Sequence, residues 1–361
     1  MSGSISTVVR RVLRLSIAIL AFSTLWVGAA NETVSATTCT VNAYVANFNA
    51  PSLSVIDTTT LATTTVVTTT SPYKIAFTPD GAKGYFSNYF DDDVSIIDPS
   101  TNTVIGNIAV GDGPQGITVN PSGTLAYVTN FNSDNVSVIN VATDTVVATF
   151  SAGDSPTTIV FTPDGTWGYV LNLNSNDVAY FPTSTNIVTG AAAVGSVPQG
   201  MAMSPDGTMV WVANATSNSI SVISTATNTV TGSFAVSGSP RDVRFSMSGT
   251  TAYVAQRAFN RLAVIDVASR TITTTLPTGS APSTVTLHPD GESVYVTNIG
   301  SNSVSIVSTL TTTVTGTVSV GDVPTGMAFR PCPLPPAPPT STTVPATTPN
   351  ADPEVIPAFT G

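Results

Sequence analysis

The sequence has few of the side chains on which enzyme chemistry usually depends. It contains one histidine, His288, and two cysteines, Cys39 and Cys332. A single histidine is a poor basis for a metal site, and a Ser-His-Asp arrangement would have to use His288 alone. No Cys-x-x-Cys-His haem motif, Gly-x-Ser-x-Gly elbow or glycine-rich phosphate loop occurs. We therefore predict no metal, no cofactor and no catalytic residue, and interpret His288 as a surface or turn residue.

Charged side chains are also scarce. They make up 9% of the chain, against about 25% in typical soluble domains, so threonine, serine and asparagine must make the surface polar. The formal net charge of -10 becomes -13 without the three arginines of residues 1–30, because 8 basic and 21 acidic residues then remain. Such a surface repels phosphate backbones, and we expect no nucleic-acid partner.

Only one long apolar run occurs, and it lies near the N-terminus. Three arginines within residues 10–14 precede the mostly apolar residues 15–27, and residues 28–30 are small. This order is typical of a Sec-type signal peptide, and the run is shorter than the ~20 residues of a spanning helix. The alternative is an uncleaved membrane anchor. We predict a signal peptide over 1–30, a short lead over 31–38, and a secreted or surface-displayed mature chain without a transmembrane segment.

A 42-residue repeat fills most of the remaining chain. A proline, an aromatic residue and a Pro-Asp-Gly-type turn recur in phase. The prolines are Pro72, Pro114, Pro156, Pro198, Pro240, Pro282 and Pro324. Each unit contains four short alternating runs separated by turn residues, a pattern typical of propeller blades. The sequence thus predicts an all-β, seven-bladed β-propeller of four-stranded antiparallel blades over residues 39–332.

Several of these runs also resemble a known family. The resemblance rests on YVTN at residues 127–130 and 295–298, VSVIN at 136–140 and VSIV at 304–307. These are similar to the YVTN-repeat β-propeller family, and the resemblance covers residues 43–331. It implies a seven-bladed propeller that is exported or surface-associated, and it implies no single activity. The chain departs from the motif at Leu171, Trp211 and Gln256.

The phase of the repeat predicts how the ring closes. The first unit begins near Tyr44, in what is a second strand elsewhere, and residues 324–331 supply its missing first strand. The two termini would thus share one blade, which leaves no open seam. Cys39 and Cys332 both map onto the Asp position of the Pro-Asp-Gly turn at this seam. We predict a disulfide between them; two free thiols are the alternative.

Residues 333–361 differ in composition from the repeats. Nine of these 29 residues are proline, and large apolar side chains are few. We predict an extended or disordered tail, because such a segment cannot bury enough apolar surface to order itself. Its Pro/Thr-rich composition is typical of stalks.

Two groups of polar residues receive structural interpretations. Asp91, Asp92 and Asp93 suit calcium by ligand type, but the alternating Asp-x-Asp pattern is missing, so a solvated acidic loop is favoured. Seven amides end the second strands: Asn47, Asn88, Asn130, Asn172, Asn214, Gln256 and Asn298. We interpret them as turn residues that bond their own backbone, because a ligand seldom needs sevenfold equivalence.

Binding residues are expected where the repeats differ. The positions after the repeated prolines should face the mouth of the central channel, and the candidates there are Tyr73, Lys74, Gln115, Gln199, Arg241 and Asp242. A second candidate is a basic patch formed by Arg241, Arg244, Arg257, Arg261 and Arg270. In an acidic chain this patch would attract an anionic ligand. The alternative is that these charges protect the edges of two blades.

We therefore predict an exported, monomeric binding or adhesion module without a catalytic role. Its partner would be a protein, a glycan or a small anionic ligand. One alternative is a propeller enzyme of the lactonase or lyase type with its site at the channel mouth, and another is a structural component of the cell surface. Such enzymes need convergent carboxylates, histidines or asparagines. The channel-mouth positions here are mostly threonine, serine and glutamine.

Overall fold

Four-stranded antiparallel sheets make up the described part of the protein. The computed structural model describes residues 40–332. Blade 1 consists of β28 (Pro324–Phe329), β1 (Asn42–Asn47), β2 (Ser52–Asp57) and β3 (Thr63–Val67). Blade 2 consists of β4 (Pro72–Phe77), β5 (Gly84–Asn88), β6 (Asp93–Asp98) and β7 (Thr103–Ala109). Blade 3 consists of β8 (Pro114–Val119), β9 (Leu125–Asn130), β10 (Asn135–Asn140) and β11 (Thr145–Ser151).

The other four blades repeat this order. Blade 4 consists of β12 (Pro156–Phe161), β13 (Trp167–Asn172), β14 (Asp177–Pro182) and β15 (Gly190–Ala193). Blade 5 consists of β16 (Pro198–Met203), β17 (Met209–Asn214), β18 (Ser219–Ser224) and β19 (Thr229–Ala235). Blade 6 consists of β20 (Pro240–Phe245), β21 (Thr251–Gln256), β22 (Arg261–Asp266) and β23 (Thr271–Pro277). Blade 7 consists of β24 (Pro282–Leu287), β25 (Ser293–Asn298), β26 (Ser303–Ser308) and β27 (Thr313–Ser319).

The predicted all-β, seven-bladed propeller is confirmed. Within residues 40–332 the helical content is one 3₁₀ turn, Arg257–Phe259, and no helix there has the length and hydrophobicity of a membrane span. The predicted signal peptide (1–30), the lead (31–38), Cys39 and the tail (333–361) lie outside the described residues.

The predicted closure of the ring is confirmed as well. β28 pairs antiparallel with β1, and Met327 lies directly opposite Val45. Met327 and Phe329 are buried in an apolar cluster shared with blade 7. The last strand of the chain therefore completes the first blade, and each repeated proline begins the inner strand of a blade.

The inner strands surround the central axis and contact one another through side chains. Thr284 Oγ1 donates to the Thr325 carbonyl at 2.7 Å, and Thr325 Oγ1 donates to the Tyr73 carbonyl at 2.7 Å. We call the end of the ring where the inner strands begin the upper face, and the end where they finish the lower face. Successive strands of a blade run in opposite directions. The loop between the second and third strands, such as β5–β6, therefore lies on the upper face, and the Pro-Asp-Gly turn between the first and second strands lies on the lower face.

Tyrosines of the second strands fasten neighbouring blades together near the lower face. Tyr169 Oη donates to Asn228 Oδ1 of the next blade at 2.6 Å, and the same contact joins Tyr44 to Asn102 at 2.6 Å. Asn228 and Asn102 have positive φ, which asparagine tolerates better than most residues. In blades 1 to 4 the recurrent aromatic residue thus connects neighbouring blades as well as filling the core between them.

We expect Tyr169→Phe to lower the free energy of unfolding by about 1 kcal/mol, because it removes one interblade hydrogen bond and no carbon atom. The matched control is Tyr253→Phe. Tyr253 occupies the same position in blade 6 and is equally buried in the core, but its hydroxyl has no partner within residues 40–332. Urea unfolding of both variants provides the measurement. Equal losses in the two would contradict the fastening role.

The interpretation of the recurrent amides is wrong in its detail. These side chains are buried and point into the blade, because the last residue of each second strand faces the core. Asn298 Nδ2 donates to Ser303 Oγ at 3.2 Å and to Ser305 Oγ at 3.0 Å, across to the third strand. The six asparagines therefore join two strands of one blade instead of bonding their own turn. Gln256 differs, because its Nε2 donates to the Ser237 carbonyl at 2.9 Å. Their role is architectural, as expected.

Candidate functional site

One large cavity of the described residues lies in the central channel. It has a volume of ≈520 Å³ and is lined by residues from all seven inner strands. Most of the lining is aliphatic or carries a hydroxyl group. Three charged side chains interrupt it: Lys74 from β4, and Asp242 and Arg244 from β20.

The room for these side chains comes from glycines at the same position of other blades. The second residue after the repeated proline faces the axis: Lys74, Gly116, Thr158, Gly200, Asp242, Thr284 and Gly326. A Cβ atom on Gly200 would lie 2.6 Å from Asp242 Oδ1, and one on Gly326 would lie 2.8 Å from the Cα of Lys74. Lys74 and Asp242 are thus each packed against a neighbouring strand that has glycine at the facing position.

Asp242 is held in one orientation by backbone donors. Its Oδ1 accepts from the amide of Val243 at 2.9 Å, and its Oδ2 accepts from the amide of Val285 in blade 7 at 2.9 Å. Burial raises the pKa of this carboxyl group, and the nearby Lys74 and Arg244 oppose the rise. The carboxylate therefore joins blades 6 and 7 at the wall of the channel.

The ammonium group of Lys74 is in a different situation. Within residues 40–332 it has neither a hydrogen bond nor an ion pair. Burial lowers its pKa, and the charge of Asp242 opposes this only in part. The other cation of the channel, Arg244, uses its Nε to donate to the Val285 carbonyl at 3.4 Å. Lys74 is thus a partly exposed lysine of the channel wall whose ammonium group makes no hydrogen bond to another group of residues 40–332.

The other predicted channel-mouth residues surround the upper end of the channel. Small hollows of ≈50 Å³ and ≈120 Å³ lie there, the first lined by Tyr73, Gln199 and Arg241 and the second by Tyr73, Gln115 and Gln199. Burial and the neighbouring Arg257 lower the pKa of Arg241. The structure therefore brings Tyr73, Lys74, Gln115, Gln199, Arg241 and Asp242 together around one opening.

The five arginines of the predicted basic patch are divided between different places. Arg241 and Arg244 line the channel, and Arg257 lies in the 3₁₀ turn beside the mouth. Arg261 is exposed at the start of β22. Arg270 lies in the β22–β23 turn on the lower face, with Nη1 3.1 Å from a Cβ position on Gly232 of blade 5. The cations that share a site are thus Lys74, Arg241, Arg244 and Arg257.

A second ring of residues lies at the mouth of the channel, and the sequence analysis did not predict it. It consists of the residue that follows each recurrent amide: Phe48, Tyr89, Phe131, Leu173, Ala215, Arg257 and Ile299. Several of them line the hollows at the upper face. The sequence did contain a signal for this ring. The residue after each recurrent amide differs from blade to blade, whereas the amide itself recurs at the 42-residue spacing of the repeat.

The three aromatic members of this ring form a continuous cluster with two further aromatic residues on blades 1 to 3. We call it the aromatic arc, and its members are Phe48, Tyr73, Tyr89, Phe90 and Phe131. The ring centroids of Phe48 and Tyr73 are 5.3 Å apart, and those of Phe48 and Phe90 are 5.3 Å apart in a stacked arrangement. Tyr89 and Phe131 extend the arc at 6.4 Å. Tyr73 belongs both to the arc and to the mouth of the channel.

The 42-residue repeat, the closed ring and the repeated blade pattern agree with a comparison against protein families. Residues 41–206 and 182–287 match the YNCE-like beta-propeller family. The chain belongs to the YNCE-like β-propeller family. Comparison with curated proteins finds no match.

Solved structures share the fold of this YNCE-like propeller at low sequence identity. A protein of unknown function from Desulfotomaculum acetoxidans is 16% identical, with a TM-score of 0.72 over 81% of this chain and 99% of that chain. A proposed 6-phosphogluconolactonase from Bacteroides uniformis is 15% identical, with a TM-score of 0.68 over 80% and 99%. Kuenenia stuttgartiensis hydrazine synthase is 22% identical, with a TM-score of 0.65 over 71% and 88%. These similarities show the fold alone.

The acidic run has a structural role in this YNCE-like propeller. Asp92 Oδ1 accepts from the Gly113 amide at 2.9 Å, and asparagines or aspartates at the same position of other blades make the same contact, such as Asn218 to the Ser239 amide at 2.9 Å. Asp93 accepts from the amide side chain of Asn88 at 2.6 Å. Two of the three carboxylates are thus committed to bonds within the blade.

His288 is a turn residue, as predicted, but it is buried and not on the surface. Its Nδ1 lies 2.7 Å from Asp290 Oδ1, and its ring packs edge-on against Phe329 with centroids 4.9 Å apart. In other blades the hydroxyl of Thr78 or Thr162 contacts the aspartate of the turn. The imidazole replaces that hydroxyl, so this histidine belongs to the architecture of the lower face.

Proposed function

We propose that the protein is an exported, monomeric binding module that captures a small anionic ligand at the upper end of its channel. The observation that carries this proposal is the ammonium group of Lys74, which lies inside the channel with no hydrogen bond and no ion pair within residues 40–332. A cation with reduced exposure to water and no partner is unfavourable, and an anion that enters the channel would provide a partner.

The distribution of charge around Lys74 supports an anion in preference to a cation. Arg241 and Arg257 lie at the mouth above it, and Arg244 lies beside it in the channel. The one carboxylate of this region, Asp242, already accepts two backbone hydrogen bonds. The available side-chain groups are therefore mostly cationic donors.

The acidity of the rest of the protein limits the kind of anion. Without residues 1–30 the net charge is -13, so a long polyanion would be repelled by the outer surface. A ligand with one or two charges, small enough to enter the opening at the upper face, avoids most of that repulsion. This favours a small carboxylate or phosphate compound.

The binding proposal is tested by calorimetric titration of the purified mature chain with galacturonate, gluconate, citrate and inorganic phosphate. Neutral galactose serves as the control for galacturonate, because the two differ in the carboxylate. We expect binding of at least one anion and none of galactose. Absence of heat for every anion, at protein concentrations suited to millimolar dissociation constants, would refute the proposal.

Export is supported by the pattern of residues 1–30, and an exported chain would be expected to carry the predicted disulfide. At the seam the Arg330 amide donates to the Asn42 carbonyl at 2.9 Å, so the chain segments that lead to the two cysteines leave the blade side by side. We expect mass spectrometry of the exported protein to show no alkylated thiol before reduction and two after it. Two alkylated thiols without reductant would contradict the Cys39–Cys332 disulfide.

An enzyme is the second candidate, and one observation favours it. Burial raises the pKa of Asp242 and lowers that of Lys74 in the same cavity, and groups with shifted pKa values are common in active sites. Hydrolysis of a sugar-acid lactone would use Asp242 to take a proton from water as the water oxygen adds to the carbonyl carbon. The ring C–O bond then breaks, and the protonated Asp242 returns the proton to the leaving ring oxygen, which becomes a hydroxyl group. Faster hydrolysis of gluconolactone by the wild type than by Asp242→Asn would support this candidate.

A further inference from the structure

We infer that the upper face binds the acidic end of a glycan, with the aromatic arc holding successive sugar rings and the arginines at the mouth holding a uronic-acid carboxylate. This inference rests on the proposed anion site and extends it outward from the channel over blades 1 to 3.

The aromatic arc is placed to receive a ligand that leaves the channel. Tyr73 lies at the mouth, Phe48 contacts Tyr73 and Phe90 at 5.3 Å each, and Tyr89 contacts Phe90 at 5.2 Å. Phe90 has 68% of its surface exposed. A path of aromatic surface therefore runs from the mouth of the channel to the solvent.

The polar side of the same opening has donors and acceptors that the protein does not use. The side chains of Gln115, Gln199, Arg241 and Arg257 make no hydrogen bond within residues 40–332. Arg241 and Arg257 lie within electrostatic range of Tyr73, so the arc and the arginines border one opening. Side-chain amides, guanidinium groups and aromatic rings thus meet at a single place.

An acidic sugar matches this combination. The C–H groups of a pyranose face pack on the electron-rich faces of aromatic rings. Its hydroxyl groups both donate to and accept from glutamine amides. A carboxylate pairs with the forked guanidinium of arginine. A single ligand class therefore accounts for the arc, the glutamines and the arginines together.

An acidic peptide is a weaker match. Extended peptides gain much of their affinity by adding a strand to an exposed sheet edge. The upper face presents loops such as β1–β2 and β5–β6, while the free strand edges of the blades belong to the outer strands. The backbone N–H and C=O groups of a peptide at the mouth would therefore find no exposed strand with which to form β-sheet hydrogen bonds.

The test compares galacturonate with di- and trigalacturonate by calorimetry. We expect the trimer to bind the wild type at least about 10-fold more tightly than the monomer. Phe90→Ala should reduce this trimer-to-monomer ratio about 5-fold, since it removes one aromatic contact. Phe259→Ala is the matched control, because Phe259 is also an exposed phenylalanine of the upper face, at 51% exposure, and lies outside the arc on blade 6.

The outcomes separate this inference from the proposed function. Binding of the monomer with no gain from chain length overturns the glycan inference and leaves the anion site intact. Absence of binding for every anion overturns both. A neutral galactose trimer or triglutamate that binds as tightly as trigalacturonate also overturns the inference, because the carboxylate or the sugar rings would then be dispensable. An equal loss in Phe259→Ala overturns the role of the arc.

Discussion

Lys74→Met is expected to weaken anion binding about 10- to 100-fold, because a hydrogen bond to a charged group contributes roughly 1.5–3 kcal/mol. Methionine keeps most of the length of the lysine side chain and removes its charge. The cavity shape at the mouth should therefore change little. Calorimetric titration of both proteins with the same anion provides the measurement.

The same substitution is expected to raise the free energy of unfolding. In the wild type, burial lowers the pKa of Lys74, so the folded protein holds its charged form at a cost. That cost is complete at pH values below the folded-state pKa and disappears as the pH rises towards the unfolded value of about 10.4. The stability advantage of the methionine variant should consequently shrink as the pH rises towards 10. A loss of binding together with a gain in stability is the signature of a residue kept for its ligand.

Lys83→Met is the matched control for this experiment. Lys83 lies on the lower face, where its Nζ is 2.7 Å from Asp144 Oδ2 and 3.0 Å from the Val141 carbonyl. Its removal should lower stability and leave anion affinity unchanged. Unchanged anion affinity in Lys74→Met, or equal losses of affinity in Lys74→Met and Lys83→Met, would contradict the proposal that the anion binds to Lys74.

The predictability of the fold follows from its repetition. Each blade must bury the same faces against its neighbours, so the same residue types recur at the same phase, and the phase itself revealed that residues 324–331 complete the blade of Tyr44. Residues close to the repeated proline could be assigned to the mouth for the same reason. Lys74, Arg241 and Asp242 meet there because equivalent positions of all inner strands face one axis.

Positions away from the inner strands were harder to assign. The arginines between 241 and 270 are close in sequence, but the chain passes from the axis at Arg244 to the lower periphery at Arg270 within one blade. Proximity in sequence therefore did not imply proximity in space. The aromatic arc was missed for the converse reason: Phe48, Tyr89 and Phe131 are about 40 residues apart, and only the circular arrangement of blades brings them into contact.

Removal of β28 is expected to abolish the native fold. A chain ending at Val323 lacks the inner strand of blade 1, so β1 becomes an open edge and the apolar cluster between blades 7 and 1 is exposed. Loss of the buried Met327 and Phe329 side chains alone corresponds to roughly 3–6 kcal/mol, a large part of the ~5–15 kcal/mol by which proteins of this kind are stable. We expect aggregation or a broad, non-cooperative thermal transition.

A chain ending at Cys332 is the control, because it keeps β28 and lacks only residues 333–361. The same chain carrying Cys332→Ser separates the contribution of the strand from that of the predicted disulfide. If the strand closes the ring, both of these proteins retain a cooperative transition and the chain ending at Val323 does not. The channel needs all seven inner strands to enclose Lys74, and Thr325 of β28 donates to the Tyr73 carbonyl at 2.7 Å. Retention of anion binding by the chain ending at Val323 would therefore contradict both the closure by β28 and the channel site.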